Sequence, residues 1–75
     1  MSVGKIVEAL ELAETFAKLG FLFRANICLN IAIESLNVCN YTNLQILFLR
    51  RKHYRLRMLV DKEINKRNVI KIKML

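Results

Sequence analysis

The side chains best suited to ligand chemistry lie in one basic run, RRKHYRLR, at residues 50–57. Guanidinium groups bind carboxylates and phosphates through paired hydrogen bonds, so a dense run of them indicates an acidic ligand. The same run can also be a solvated helix face that binds nothing specific. It contains one tyrosine, which is not typical of proteins that stack the bases of single-stranded nucleic acid on several aromatic rings. Contact with nucleic-acid phosphates alone stays open.

Residue types that often act in catalysis or metal binding are scattered through the sequence. His53 has no histidine or cysteine one helical turn away, and we interpret it as a partly buried packing residue. Cys28 and Cys39 are separated by ten residues, which fits no common zinc pattern, and we expect two free thiols rather than a disulfide. The sequence has no glycine-rich phosphate loop and no paired acidic motif. It therefore predicts a protein that is not an enzyme and holds no metal or cofactor.

Charge is distributed unevenly along the 75 residues, whose formal net charge is +7. Residues 1–40 carry three basic and four acidic side chains, whereas residues 41–75 carry ten basic and two acidic ones. The net charges are therefore −1 and +8, and such a basic half indicates an acidic protein surface, nucleic acid or anionic lipid as partner. The N-terminus lacks a signal-peptide pattern, and the most apolar stretch, residues 21–33, is shorter than the ~20 residues that span a bilayer. We expect an intracellular, cytoplasmic protein without a transmembrane segment.

Small residues at helical spacing predict a tight antiparallel hairpin of helices at the start of the chain. Ala9, Ala13 and Ala17 line one face of a first helix, expected over residues 3–19, with Ser2 available as its N-cap. Gly20 follows where a helix C-terminus needs a left-handed residue. The chain has two glycines and no proline, a composition that suits helices and argues against a β fold with many turns.

A second helix, expected over residues 22–37, has two apolar faces. Ala25 and Ala32 lie seven residues apart and are expected to contact the first helix. The broad face that contains them consists of Leu22, Ala25, Cys28, Leu29, Ala32, Ile33 and Leu36. Phe23, Ile27 and Ile31 form the other face, nearly opposite. A helix with two apolar faces is buried on both sides, by neighbouring helices or by a partner.

A third helix is expected over residues 43–66, after a loop at residues 38–41. Thr42 and Gln45 match a capping box at its start. One apolar stripe of this helix consists of Ile46, Leu49, His53, Leu56, Val60 and Ile64. A second stripe consists of Leu47, Tyr54 and Met58, and a basic sector of Arg51, Arg55, Lys62 and Lys66. The first stripe is interpreted as a core face, with a coiled-coil seam as the alternative. Residues 68–75 can continue the helix, form a short strand or be disordered.

The hairpin resembles the MIT domain, the microtubule-interacting and trafficking module of ESCRT-type and katanin-type AAA ATPases. The resemblance lies in Gly20, in Ala25 five residues later, in the run Ala32-Ile33-Glu34, and in Leu36. The third helix adds the Tyr-x-x-Arg pattern at residues 54–57, and LAETFAKLG at residues 12–20 is similar to the katanin-type module. The resemblance implies a three-helix bundle that binds an amphipathic helix or an extended motif in a groove beside its third helix.

These observations predict an all-α protein: a three-helix bundle over residues 1–67, made of an antiparallel hairpin and a basic third helix, and a tail at residues 68–75. One small core cannot bury all four apolar stripes, so at least one stripe forms a groove or an oligomer contact. We expect a protein-interaction module for an acidic or amphipathic partner. The candidate partner-binding residues are Leu47, Leu49, Arg50, Arg51, Arg55, Leu56, Arg57, Met58, Lys62 and Lys66. A small basic RNA- or ribonucleoprotein-binding protein and a self-assembling structural subunit are the alternatives.

Overall fold

The computed structural model describes the backbone of residues 3–39 and 43–74, and the side chains of residues 3–39 and 43–67. The described residues form three α-helices, α1 (Val3–Lys18), α2 (Leu22–Val38) and α3 (Leu44–Met74), and contain no strand. All three helices pack against one another, which confirms the predicted all-α three-helix bundle. The backbone is helical at residues 68–74, so α3 extends beyond the predicted end at residue 66. None of the described helices is long and apolar enough to cross a membrane.

The turn between α1 and α2 follows from the single glycine within it. Gly20 has φ +84°, in the left-handed region, as the sequence predicted. The amide of Gly20 donates to the Ala17 carbonyl at 3.1 Å, and the amide of Phe21 donates to the Phe16 carbonyl at 2.8 Å. The Phe16 and Phe21 rings meet edge to face with centroids 6.5 Å apart. These two hydrogen bonds and the apolar contact form a Schellman motif, which satisfies the last carbonyls of α1 and reverses the chain.

The core consists of the apolar faces that helical spacing predicted. Ala25 and Ala32 are fully buried, in agreement with the expected close approach of α2 to α1. The Ile46–Ile64 stripe of α3 faces the core, with Ile46 and Val60 almost completely buried. The buried apolar side chains are Ile6, Leu10, Ala13, Leu22, Ala25, Leu29, Ala32, Leu36, Ile46, Leu49, Leu56 and Val60. Each helix therefore contributes one face to a single core.

The start of α3 differs by one residue from the prediction. The Ile46 amide donates to the Asn43 side-chain oxygen at 2.9 Å, so Asn43 occupies the N-cap position and the helix begins at Leu44. A short amide side chain at the N-cap reaches the amide three residues later, which otherwise has no intrahelical partner. Thr42, the predicted N-cap, and Ser2, the predicted N-cap of α1, lie outside the described residues.

Candidate partner-binding surface

The side of α3 that faces away from α1 and α2 carries most of the candidate residues. All of its side chains are exposed, and we call it the outer surface of α3. It consists of Leu44, Leu47, Phe48, Arg51, Tyr54, Arg55, Met58, Leu59, Lys62 and Lys66. The large apolar members are substantially open to solvent: Tyr54 is 65% exposed, Phe48 60% and Met58 55%. A contiguous group of exposed apolar side chains is typical of an interaction site, whereas single scattered ones are common on any protein surface.

The cations of this surface lie between two apolar stripes. At 100° per residue, four basic side chains lie on one side of the helix. We call these four residues the basic ridge: Arg51, Arg55, Lys62 and Lys66. Leu47, Tyr54 and Met58 flank it on the side nearer α2. Phe48 and Leu59 flank it on the side nearer α1. These last two were absent from the predicted site, although their spacing of eleven residues, about three turns, places them on one face.

Two adjacent shallow pockets run along this surface. The first is lined by Leu47, Phe48, Arg50, Arg51, Tyr54 and Arg55. The second is lined by Arg55, Met58, Leu59, Asp61, Lys62, Asn65 and Lys66. Arg55 borders both, so the pockets form one continuous depression along α3. Its lining combines large apolar side chains with cations, and one carboxylate, Asp61, borders the second pocket.

The basic ridge has positive charge available for a ligand. Among the residues that the structure describes, Arg51, Arg55 and Lys62 form no ion pair. Lys66 lies 3.7 Å from a Glu63 carboxylate oxygen, and both side chains are exposed. Such exposed pairs are weak and exchange readily for a ligand carboxylate or phosphate. The ridge therefore presents cations whose charge the bundle does not neutralise.

Two predicted site residues lie in the core instead of on the surface. Leu49 is 3% exposed and Leu56 is 7% exposed, because both belong to the stripe that packs against α1 and α2. No partner can contact them while the bundle is closed. The structure therefore removes Leu49 and Leu56 from the candidate partner-binding set.

Arg50 has a structural role at the end of α2. Its Nη2 donates to the Leu36 carbonyl at 2.8 Å, and its Nη1 donates to the Asn37 side-chain oxygen at 3.4 Å. The Leu36 carbonyl belongs to the last turn of α2, where it also accepts from the Cys39 amide at 3.2 Å and where the helix dipole favours a cation. Arg50 thus borders the first pocket while it fixes α3 to α2, and a ligand would compete with its bonds inside the bundle.

Arg57 joins the same two helices one turn below His53. Its Nη1 donates to the side-chain oxygen of Asn26, and it also lies 3.4 Å from that of Asn30. Its Nε lies 4.0 Å from the Asp61 carboxylate. Arg57 therefore helps to hold α3 against α2, and a partner would compete with these bonds inside the bundle. The asparagines at positions 26, 30 and 37, all on one side of α2, were the sequence signal for these contacts.

His53 lies between Arg50 and Arg57 on the side of α3 that faces α2. Its Nε2 is 3.0 Å from the Leu29 carbonyl oxygen, to which a protonated Nε2 donates. The pKa of His53 is lowered from its ordinary 6.5, because partial burial disfavours the charged ring. The hydrogen bond to Leu29 opposes this shift, and the positive charge of Arg57 adds to it. This position agrees with the interpretation of His53 as a packing residue.

The cysteines are half-buried, separate thiols. Cys28 and Cys39 form no disulfide, and the Cys39 thiol lies 3.5 Å from the Ser35 carbonyl oxygen, to which it donates. Among the described residues, no three histidine, cysteine, aspartate or glutamate side chains come together as metal ligands.

A second exposed apolar surface lies on α2. Phe23 is 77% exposed, and Ile27 and Ile31 are 43% and 44% exposed. Of the four apolar stripes expected on α2 and α3, two face inward and form the core together with α1, and the other two remain in contact with solvent. Among the described residues, exposed apolar side chains thus line a strongly basic surface on α3 and a nearly neutral surface on α2.

Comparisons with known proteins place this chain in a family. A family model described as a family of unknown function, DUF5475, matches residues 1–75. An uncharacterized 9.5 kDa protein in the HE65-PK2 intergenic region of Autographa californica nuclear polyhedrosis virus is 44% identical over 78 residues, which cover 96% of this chain and 95% of that protein. An uncharacterized 9.3 kDa protein of Orgyia pseudotsugata multicapsid polyhedrosis virus is 56% identical over 36 residues, or 48% of this chain and 44% of that protein. No solved structure matches significantly, and the resemblance to MIT domains stays a prediction. The chain belongs to the DUF5475 family.

Proposed function

We propose that this protein is a non-catalytic interaction module whose α3 outer surface binds an acidic, amphipathic segment of another protein. The observation that carries the proposal is the position of the basic ridge between two exposed apolar stripes. Among the described residues, its Arg51, Arg55 and Lys62 have no ion-pair partner. Carboxylates of the partner would face the ridge, and its apolar side chains would cover the stripes on either side. Affinity then comes from apolar burial, and selectivity from charge.

The dimensions of the ridge suit a helical ligand. Arg51 and Lys66 are fifteen residues apart, so the ridge is ~22 Å long at 1.5 Å per residue. A partner helix of about four turns covers that length. Acidic residues three or four positions apart on the partner helix would lie on one of its faces and could contact successive cations of the ridge. The resemblance to MIT domains supports the same mode of binding. A cytoplasmic location is part of the proposal, since the free thiols of Cys28 and Cys39 are compatible with a reducing compartment.

The apolar stripes favour a protein ligand over nucleic acid. A duplex contacts cations mainly through phosphates, and it would leave side chains such as Phe48 and Met58 exposed to water or against polar groups. A peptide with an apolar face removes the same side chains from water. The two ligand classes therefore differ in how binding depends on the stripes.

The test is a titration of the full chain with a synthetic amphipathic helix of about 18 residues, acidic on one side and leucine-rich on the other. Its scrambled sequence serves as the ligand control. Reversing Arg51 and Arg55 to Glu should weaken binding more than tenfold, since two charge contacts change from attractive to repulsive. Leu47→Ser should weaken it about fivefold to tenfold through lost apolar burial. Fluorescence anisotropy at two salt concentrations measures each affinity.

Two matched variants separate a binding site from a general effect. Leu12 on α1 is 45% exposed, as is Leu47, so Leu12→Ser makes the same chemical change elsewhere and should leave the affinity unaltered. Lys5→Glu is the corresponding control for charge. The proposal fails if the scrambled peptide binds equally well, or if Leu47→Ser has no effect on the affinity. If a nucleic-acid duplex binds instead, with affinity that falls steeply with salt, a nucleic-acid-binding role replaces it.

A further inference from the structure

The exposed side of α2 carries a short seam with coiled-coil spacing. Its residues are Arg24, Ile27, Ile31, Glu34 and Val38, all of them exposed. Their spacings are three, four, three and four, the repeat that keeps a stripe of side chains facing a second helix. We call these five residues the α2 seam. Neither α1 nor α3 covers it.

The seam is complementary to itself when two copies run in opposite directions. A two-fold axis at the level of residue 29 places Ile27 of one copy beside Ile31 of the other in an antiparallel pair, and Val38 then lies beyond the paired segment. The same symmetry places Arg24 beside Glu34 of the other copy, at both ends of the apolar centre. Among the described residues, neither Arg24 nor Glu34 takes part in an ion pair within its own chain. Parallel pairing would instead bring two arginines together and two glutamates together.

Charge also favours α2 over α3 as a face for a second copy. The outer surface of α3 has four cations in its basic ridge, so two such surfaces repel each other. Residues 1–40, which include α2, have a net charge of −1 and impose no such barrier. Phe23, which flanks the seam and is 77% exposed, adds apolar area to the contact. We infer that this protein forms a two-fold symmetric, antiparallel dimer through the α2 seam.

The expected dimer is weak and reversible. One helix pair buries an area at the low end of specific interfaces, where complexes are transient. Two-fold symmetry makes every seam substitution act twice, so small changes give measurable shifts. Both α3 outer surfaces stay open in this arrangement, and the dimer would present two basic ridges. This inference does not depend on what those ridges bind.

Sedimentation equilibrium of the full chain tests the inference. We expect a monomer of 8.8 kDa at low concentration and twice that mass at high concentration. Ile27→Asp with Ile31→Asp should abolish the dimer, and circular dichroism checks that these exposed changes leave the helices folded. Arg24→Glu alone and Glu34→Arg alone should each raise the dimer dissociation constant about tenfold, because each puts like charges opposite each other twice.

The combined variant Arg24→Glu/Glu34→Arg decides the orientation. It restores both opposite-charge contacts in an antiparallel dimer, so its dissociation constant should return to that of the wild type. Lys5→Glu on α1 is a matched control that changes the net charge as Arg24→Glu does at an exposed position outside both surfaces, and it should leave the dimer intact. A wild-type chain that stays monomeric at about 1 mM overturns the inference. Failure of the combined variant to recover, or a dimer that survives the two aspartates, also overturns it.

Discussion

Replacing Gly20 with alanine tests whether the left-handed turn holds the hairpin closed. The native φ of +84° suits glycine but crowds the Cβ of any other residue. A Cβ built at this position lies 3.2 Å from Nη2 of Arg67, which donates to the Gly20 carbonyl at 3.1 Å. The substitution therefore strains the backbone and presses on one hydrogen bond.

The expected loss of stability comes mainly from the backbone. A left-handed conformation costs an L-residue about 1–2 kcal/mol. Displacing Arg67 adds at most about 0.5 kcal/mol, because this side chain is exposed and can move. For a domain of this size, a total near 2 kcal/mol lowers Tm by about 8–16 °C. Gly20→Val should cost more, since a β-branched side chain is more crowded at positive φ.

Urea unfolding followed by circular dichroism measures the free energy of unfolding. Gly4→Ala is a matched control that should change the free energy of unfolding in the opposite direction. Gly4 is exposed near the start of α1 and lacks positive φ, so alanine there should stabilise the protein by about 0.5 kcal/mol. Repeating Gly20→Ala in an Arg67→Ala background separates strain from the contact, and most of the loss should persist. A Gly20→Ala protein as stable as the wild type would refute the turn as the origin of hairpin stability.

Three further predictions concern packing and pH. Ala32→Leu should lower the free energy of unfolding by about 1–3 kcal/mol, because Ala32 is fully buried; equal stability would contradict close helix packing. Leu56→Ala should cost about 2–5 kcal/mol and Leu47→Ala less than about 0.5 kcal/mol in urea unfolding, and equal losses would contradict their different burial. The pKa of His53 is lower in the folded than in the unfolded protein, so its contribution to stability is present above pH 6.5 and lost as pH falls through the folded value. His53→Gln should flatten that decline, and an unchanged pH profile would argue against burial as its cause.

The sequence predicts the hairpin well because its signals are local. A glycine at the end of a helical pattern leaves few alternatives to a left-handed cap. Ala25 and Ala32 mark a face where large side chains would not fit. The Ile46–Ile64 stripe is also readable, since helical period alone defines it. These features depend on residues a few positions apart, where backbone geometry fixes which side chains share a face.

The candidate site is less predictable because it depends on how α3 is rotated about its axis. Leu49 and Leu56 were assigned both to the core stripe and to the partner-binding site, although a side chain buried in the core cannot also contact a partner. Helical period groups residues into stripes, but how deeply each side chain is buried depends on how α3 packs against α1 and α2 together. The roles of Arg50 and Arg57 depend further on the register between α2 and α3, which a single-helix pattern does not contain.

The hydrogen bonds that hold α3 also bear on how the chain folds. The hairpin closes around a turn at residues 19–21, so its contacts can form early with little loss of chain entropy. The bonds between α2 and α3 join residues much farther apart along the chain: Arg50 and Leu36 are separated by 14 positions, His53 and Leu29 by 24, and Arg57 and Asn26 by 31. Contacts at such separations form after local ones. We therefore expect α3 to dock after the hairpin closes, and we expect substitutions in this group of bonds to change the folding rate only as far as that docking has begun at the transition state.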